Sequence, residues 1–298
     1  RDFCLSRGLG DVYKRQLSNM LIEYNPFGTN TQSLYVYFET DSAVKVSYTI
    51  HVKEDDIADF SRNVYQDEEY QKEHEFQVIG LIPDTENTIT FYITNEDGST
   101  DTNEIVYEMG SLYGEEAVQL DTDVKQSADK LEDGLYVVLG NDSTSMDFMY
   151  YYDNNGVLRG EVPLLGYRSH RLIFDENSMY YSISEKKMAQ VNRLGQVTKV
   201  YDLGNYKLHH DYVFDENGNL YIADFCANAI VKVTKDGYVS RLAQSPDCDG
   251  LDGGLDQPGE PIIYDGKIVA SCFDLVTGPG KVNTAHEMPA TLAEVDIS

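Results

Sequence analysis

Phe174-Asp-Glu-Asn177 recurs as Phe214-Asp-Glu-Asn217, forty residues further on. Each copy runs into an apolar, strand-like stretch, Met179-Tyr-Tyr-Ser-Ile183 and Leu220-Tyr-Ile-Ala223. Turn signals keep the same beat, with Asn155-Gly156, Leu194-Gly195 and Asp236-Gly237 spaced 39 and 42 residues apart. A period of about 40–50 residues filled with short strands is that of four-stranded propeller blades. One such unit cannot bury both of its faces, so neighbours must stack around an axis. The repeat predicts an all-β, partial β-propeller over residues 132–298, about four blades forming an arc of a larger ring.

Upstream the pattern differs. Leu34-Tyr-Val-Tyr-Phe38, Val44 to Val52, Phe76 to Ile79, Ile89 to Ile93 and Glu104 to Tyr107 are rich in β-branched and aromatic residues. Pro83-Asp84 and Asp97-Gly98 punctuate them. Five or six strands at this spacing predict an antiparallel β-sandwich over 21–112. The run from Gly80 to Ser99 resembles the later half of a fibronectin type III (Ig-like) module. The polar stretch 113–131 reads as a connector with room for a short helix. His51 and His74 are expected at the surface or a sheet edge, and the acidic patch 67–75 as a solvated loop or edge. Residues 1–16 carry four of the chain's 23 basic residues and no strand period. They resemble translated adapter sequence, so 1–20 is set apart as a non-native leader. The strand-like run at the other end, LAEVDIS, has no closing element, and the chain is read as a fragment.

Composition narrows the function. The 298 residues hold 51 acidic against 23 basic side chains, a formal charge of −28. That balance argues against a nucleic-acid partner, which needs a basic footprint, and against docking on anionic lipid. No run of 18 apolar residues offers a membrane span. Apart from Cys4, the cysteines 226, 248 and 272 are odd in number and widely spaced, which gives no disulfide framework and no metal pair. Cys248 and Cys272 could pair in an oxidising compartment, but buried free thiols are the simpler expectation. Asp247 to Asp256 misses the ligand spacing of a calcium loop, with glycine at position 4 and aspartate at 6. It is expected to be an acidic loop, and His286 a surface-loop residue; no metal site is assigned.

Three of the six histidines fall at one point of the repeat. Tyr167-Arg-Ser-His-Arg171 precedes one Phe-Asp-Glu-Asn, and Tyr206-Lys-Leu-His-His-Asp211 precedes the next. Alignment sets His170 opposite His210 and Ser169 opposite His209. Equivalent positions on successive blades share a radius and a height, and residues entering the innermost strand ring the channel. His170 and His210 are therefore expected to converge there, with Arg168 or Arg171 beside them. A neutral imidazole can act as nucleophile or base near pH 7, and arginine presents a planar fork to an oxyanion. Asp211 is expected to orient His210 or to cap the turn.

These residues bear a resemblance. Asn25-Pro-Phe-Gly28, Glu73-His-Glu75 before Ile79-Gly-Leu81, Gly166 to His170, and His209-His-Asp211 followed by Asn217-Gly-Asn219 resemble the bacterial PAPS-independent aryl-sulfate sulfotransferases over roughly 21–222. That resemblance implies a β-sandwich joined to a six-bladed propeller. It implies transfer of a sulfuryl group from a phenolic sulfate ester to an acceptor phenol by a ping-pong route through a sulfurylated histidine, with no cofactor. It carries over His210, His209, His170 and Arg171 as catalytic candidates, and Arg168 and Asp211 as substrate-binding ones. It also implies an extracytoplasmic location. The family's nucleophilic histidine lies in a later blade, and no match for it is found, so this stretch alone is expected to be inactive. From about Leu220 the chain looks more like gluconolactonase and regucalcin-type propellers, which are metal-dependent lactone hydrolases. A lactonase-like hydrolase and a non-enzymatic surface-binding propeller are the alternative readings.

Overall fold

In a computed structural model the chain is almost entirely β. The residues described are 20–65, 69–114, 118–120, 131–139, 146–165, 169–208, 211–273, 275, 277–283 and 290–297. They form two compact units. The first takes the described residues up to Val138, with Phe148–Pro163 and Arg193–Gln196; the second takes those of Leu139–Asp147, Leu164–Asn192 and Val197–Ser298.

The first part of the chain forms strands β1 (Leu21–Tyr24), β2 (Ser33–His51), β3 (Phe60–Asn63), β4 (Gln71–Ile79), β5 (Glu86–Asn95) and β6 (Thr100–Glu108). Strand β2 organises them, because its 19 residues are long enough to serve two sets of partners. Its first half pairs with β1 and β4, and its second half with β3 and β5, with an irregularity between Glu39 and Val44. Alternation puts Leu34, Val36, Phe38, Val44, Val46, Tyr48 and Ile50 on one buried face. The sheet curls around that face, so Phe76 of β4 meets Phe91 of β5 at 6.1 Å between ring centroids. Each large side chain buried this way contributes about 1.5–3 kcal/mol. The same alternation corrects one expectation. His74 shares the inner face of β4 with Phe76 and Val78, is fully buried, and stacks on Phe38 at 4.8 Å. Burial holds its imidazole below the ordinary value, a backbone hydrogen bond opposing. His51 is exposed as expected, 2.7 Å from Asp59. The patch 67–75, where described, is largely strand β4 rather than loop, with Glu73 and Glu75 on its outer face.

Four antiparallel meanders follow in chain order: β7 (Leu135–Leu139), β8 (Met146–Asp153) and β9 (Leu158–Leu165); β10 (Leu172–Phe174), β11 (Ser178–Ser184), β12 (Lys187–Asn192) and β13 (Val197–Asp202); β14 (Tyr212–Phe214), β15 (Leu220–Asp224), β16 (Ala229–Val233) and β17 (Val239–Gln244); and β18 (Pro258–Tyr264), β19 (Lys267–Cys272) and β20 (Thr291–Asp296). Each sheet is ordered as its strands occur in sequence, as propeller blades are. In the second unit the last three stack face to face. Tyr180, Met188 and Tyr201 pack with Tyr212, Ile222 and Val231 to seal one interface. Tyr221, Ala223 and Ile230 pack with Ile268, Ala270 and Ala293 to seal the next. The fold is thus an Ig-like β-sandwich followed by a partial propeller.

The repeat motif has a local cause. Asp175 accepts hydrogen bonds from the backbone N–H groups of Asn177 (3.0 Å) and Ser178 (2.7 Å) and from the Tyr180 hydroxyl (2.7 Å). Asp215 accepts from the N–H groups of Asn217 (2.9 Å) and Asn219 (2.8 Å) and from the Tyr221 hydroxyl (3.1 Å). Each aspartate ties off the hairpin between the first two strands of its sheet. Desolvation opposes ionisation of both, yet these donors hold both carboxyls below the usual range.

In the first unit, β9 carries two buried charges. Arg159 is 1% exposed and donates from Nε to Asp153 (2.8 Å) and from its terminal nitrogens to the carbonyls of Gly80 (3.3 Å) and Ala58 (2.6 Å). Glu161 is fully buried and accepts from the Thr31 hydroxyl (2.7 Å) and the N–H groups of Tyr113 (2.9 Å) and Gly114 (2.8 Å). Among the described residues, no helix is long and apolar enough to cross a membrane. Cys226, Cys248 and Cys272 are free thiols, and Cys272 is buried.

Candidate functional site

The segments that enter β10, β14 and β18 lie on successive stacked sheets of the second unit, where side chains distant in sequence come together. Ser169 is buried; its hydroxyl donates to the Arg171 carbonyl (3.0 Å) and sits 3.0 Å from the Ser182 hydroxyl. The Tyr212 hydroxyl, from the next sheet, donates to the same carbonyl. With its backbone fixed from two sides, Arg171 extends across and donates from Nη1 to Asp211 Oδ2 at 2.9 Å. The other Asp211 oxygen accepts the Tyr212 N–H at 2.6 Å.

Arg171 and Asp211 are forty residues apart, one full repeat. The ion pair therefore joins equivalent positions on neighbouring sheets, as the stacking argument requires. The environment is uneven: the Asp211 side chain is 9% exposed and that of Arg171 46%. Burial raises the Asp211 carboxyl, and the Glu260 carboxylate on β18 adds to this. The Tyr212 N–H and the Arg171 charge oppose them. Glu260 accepts from the Ser271 hydroxyl at 2.7 Å. Arg171 at the start of one sheet thus meets a carboxylate of the next, and a carboxylate of the third acts on that one.

Of the predicted site residues, His170 is exposed and directly precedes Arg171. Asp211 accepts the N–H of the next residue, Tyr212, and its charge partner is Arg171. His209, His210 and Arg168 lie outside the described residues, as does His286. Glu260, Ser169 and Tyr212 were not singled out from sequence. Ser169 could have been, since it aligns with His209, but Glu260 has no signature in the repeat. In the acidic loop, the carboxylates close backbone turns: Asp249 accepts from the Leu251 N–H (3.1 Å) and Asp247 from the Val282 N–H (2.9 Å). Among the described residues, no group of three or more His, Cys, Asp or Glu side chains is placed to hold a metal ion.

An arginine fork steadied by a buried carboxylate is suited to binding a tetrahedral oxyanion and polarising it. Comparison with solved structures returns remote likenesses. Virginiamycin B lyase from Staphylococcus aureus is 10% identical, covering 94% of this chain and 88% of that one at a TM-score of 0.31. A protein of unknown function from Bacteroides caccae is 12% identical, with coverages of 76% and 82% and a TM-score of 0.35. The calcium-binding protein regucalcin from Agrobacterium tumefaciens is 12% identical, with coverages of 71% and 87% and a TM-score of 0.30. None is close enough to bear on what this chain does. No curated protein matches it in sequence. Two family models do match, in order: the arylsulfotransferase Ig-like domain over residues 21–110 and arylsulfotransferase (ASST) over residues 120–241. Together they span more than half of the sequence, and the chain belongs to the arylsulfotransferase family.

Proposed function

We propose that this protein transfers a sulfuryl group from a phenolic sulfate ester to an acceptor phenol without PAPS, at the point where β10, β14 and β18 begin. In this reading the sandwich (21–112) and the propeller (132–298) are its two domains, and it works outside the cytoplasm. The Arg171–Asp211 pair carries the proposal, because it fixes a cation at the entry to β10, one residue after His170. The transferring sulfuryl group spreads negative charge over three oxygens, much as a phosphoryl group does, so positioning and cationic donors dominate the catalysis. Arg171 engages Asp211 through Nη1 and holds sulfate oxygens with the rest of its fork. Asp211 positions that fork. His210, His209 and His170 supply the imidazoles that hold oxygens or manage the phenol proton, and Arg168 adds a second cation.

The test is exchange between a chromogenic aryl sulfate and phenol, using the complete open reading frame that contains this sequence. Parallel lines in double-reciprocal plots are expected for a ping-pong route. His210→Ala is expected to lower kcat by about 100-fold or more. Full activity in that variant removes the histidine assignment, and intersecting lines remove the sulfuryl-enzyme.

A further inference from the structure

The first unit holds a second place where guanidinium groups gather. A cleft of about 580 Å³ opens beside β3, which among the described residues pairs only with β2. The register sets what lines it. Thr49 and Ser61 are directly opposed, and their hydroxyls meet at 2.7 Å. Ser47 lies opposite Tyr92 across the next ladder. Arg62, between Ser61 and Asn63, faces the other way, opposite Tyr48, and turns back around the strand edge to donate from Nη1 to the Ser61 carbonyl at 2.7 Å. Its guanidinium carbon stands 4.1 Å from the Phe60 ring centroid. Arg193 lines the same cleft.

The charge balance here is reversed from that of the chain. Two arginines face the cleft, and Asp133 is the acid that lines it. Asp133 lies 3.4 Å from Arg62, and its side chain is 79% exposed, so solvent screens the pair. Arg62 Nη2 is buried and has no hydrogen-bond partner. A buried cationic donor without an acceptor is a standing cost, which a bound oxyanion relieves once the guanidinium turns toward the cleft. The hydroxyls of Ser47, Thr49 and Ser61 offer further donors, and Tyr92 a flat apolar wall.

We propose that the cleft beside β3 is an oxyanion-binding site, taking sulfate or the sulfate group of an aryl sulfate ester between Arg62 and Arg193. The choice of an oxyanion rests on the cleft alone; the choice of sulfate rests on the sulfuryl-transfer reading. The site is separate from Arg171 and asks nothing of the propeller's chemistry.

The test is calorimetric titration of the chain with sodium sulfate and, separately, phenyl sulfate in low-salt buffer. Both are expected to bind; a tighter phenyl sulfate identifies the ester as the ligand, and equal affinity identifies sulfate alone. Arg62→Gln and Arg193→Gln are each expected to weaken binding about tenfold. Arg62→Lys keeps the charge without the fork and falls between, and far-UV circular dichroism checks that each variant is folded. Asp133→Asn tightens binding about twofold by removing the competing charge. Arg171→Gln removes binding at the proposed transfer site and leaves the Arg62-dependent component unchanged, which separates the two sites. No binding by the unaltered chain, binding indifferent to both cleft arginines, or an Arg62-dependent component that disappears in Arg171→Gln would overturn the proposal.

Discussion

Asp153→Ala is expected to be among the most damaging single changes outside the apolar core. Its carboxylate accepts three hydrogen bonds: from Arg159 Nε (2.8 Å) and from the N–H groups of Asn155 (2.8 Å) and Val157 (3.1 Å). The two side chains are 3% and 1% exposed, so little solvent can enter to replace what is lost. Burial pulls the Arg159 guanidinium below its usual value, and Asp153 pulls it back up. Removing the carboxylate leaves a buried cation facing two carbonyls and the Phe60 ring. An uncompensated buried charge costs about 3–5 kcal/mol, a large share of the roughly 5–15 kcal/mol that holds a domain folded. The Asp153→Ala, Arg159→Met double variant removes both charges and should recover part of that loss, with a coupling energy of about 1–3 kcal/mol. Urea unfolding followed by far-UV circular dichroism reads all three. A single-variant loss below about 1 kcal/mol, or a double variant equal to the sum of the two singles, would show that the pair is not the buried unit described.

Other expectations follow from the same geometry. His74 is held neutral by burial, so its contribution is fully present above the ordinary histidine value near 6.5 and is lost as pH falls through that value toward the depressed one in the fold; the urea midpoint should drop between about pH 7.5 and about pH 5, and His74→Phe should flatten that part of the profile. Ile222 is fully buried between two stacked sheets, so Ile222→Ala should cost about 2–5 kcal/mol; a negligible change in thermal unfolding would argue against the stacking. Gly80 has a φ of +98°, and an added Cβ would stand 2.5 Å from the Phe60 ring. Gly80→Ala should therefore destabilise by more than about 1 kcal/mol, read as a lower urea midpoint.

Much of the architecture was legible because its causes are periodic. Propeller sheets follow from the forty-residue spacing, and each repeated aspartate proves to be the tie of a hairpin, a local function that a sequence repeat records. The inner face of β2 follows from strict alternation. The site was half legible. The offset that aligns His170 with His210 also aligns Arg171 with Asp211, yet only the imidazoles were paired in advance, since charge complementarity across sheets has no local mark. Glu260 escaped because the fourth meander lacks the Phe-Asp-Glu-Asn motif that gives the other two their alignment. His74, Arg159 and Glu161 were illegible for a shared reason. Polar residues on strands read as outward-facing until a partner from elsewhere in the chain satisfies them, and those partners lie up to 130 residues away.

The claim that equivalent positions on neighbouring sheets form one working centre is tested most directly by a double-mutant cycle on sulfuryl transfer, with Arg171→Gln, Asp211→Asn and both together in the complete reading frame. If Asp211 acts by holding Arg171, the single changes lower kcat/KM by about 10–1,000-fold and the double is no slower than Arg171→Gln alone. Penalties that multiply, or variants that transfer at the unaltered rate, would contradict the account.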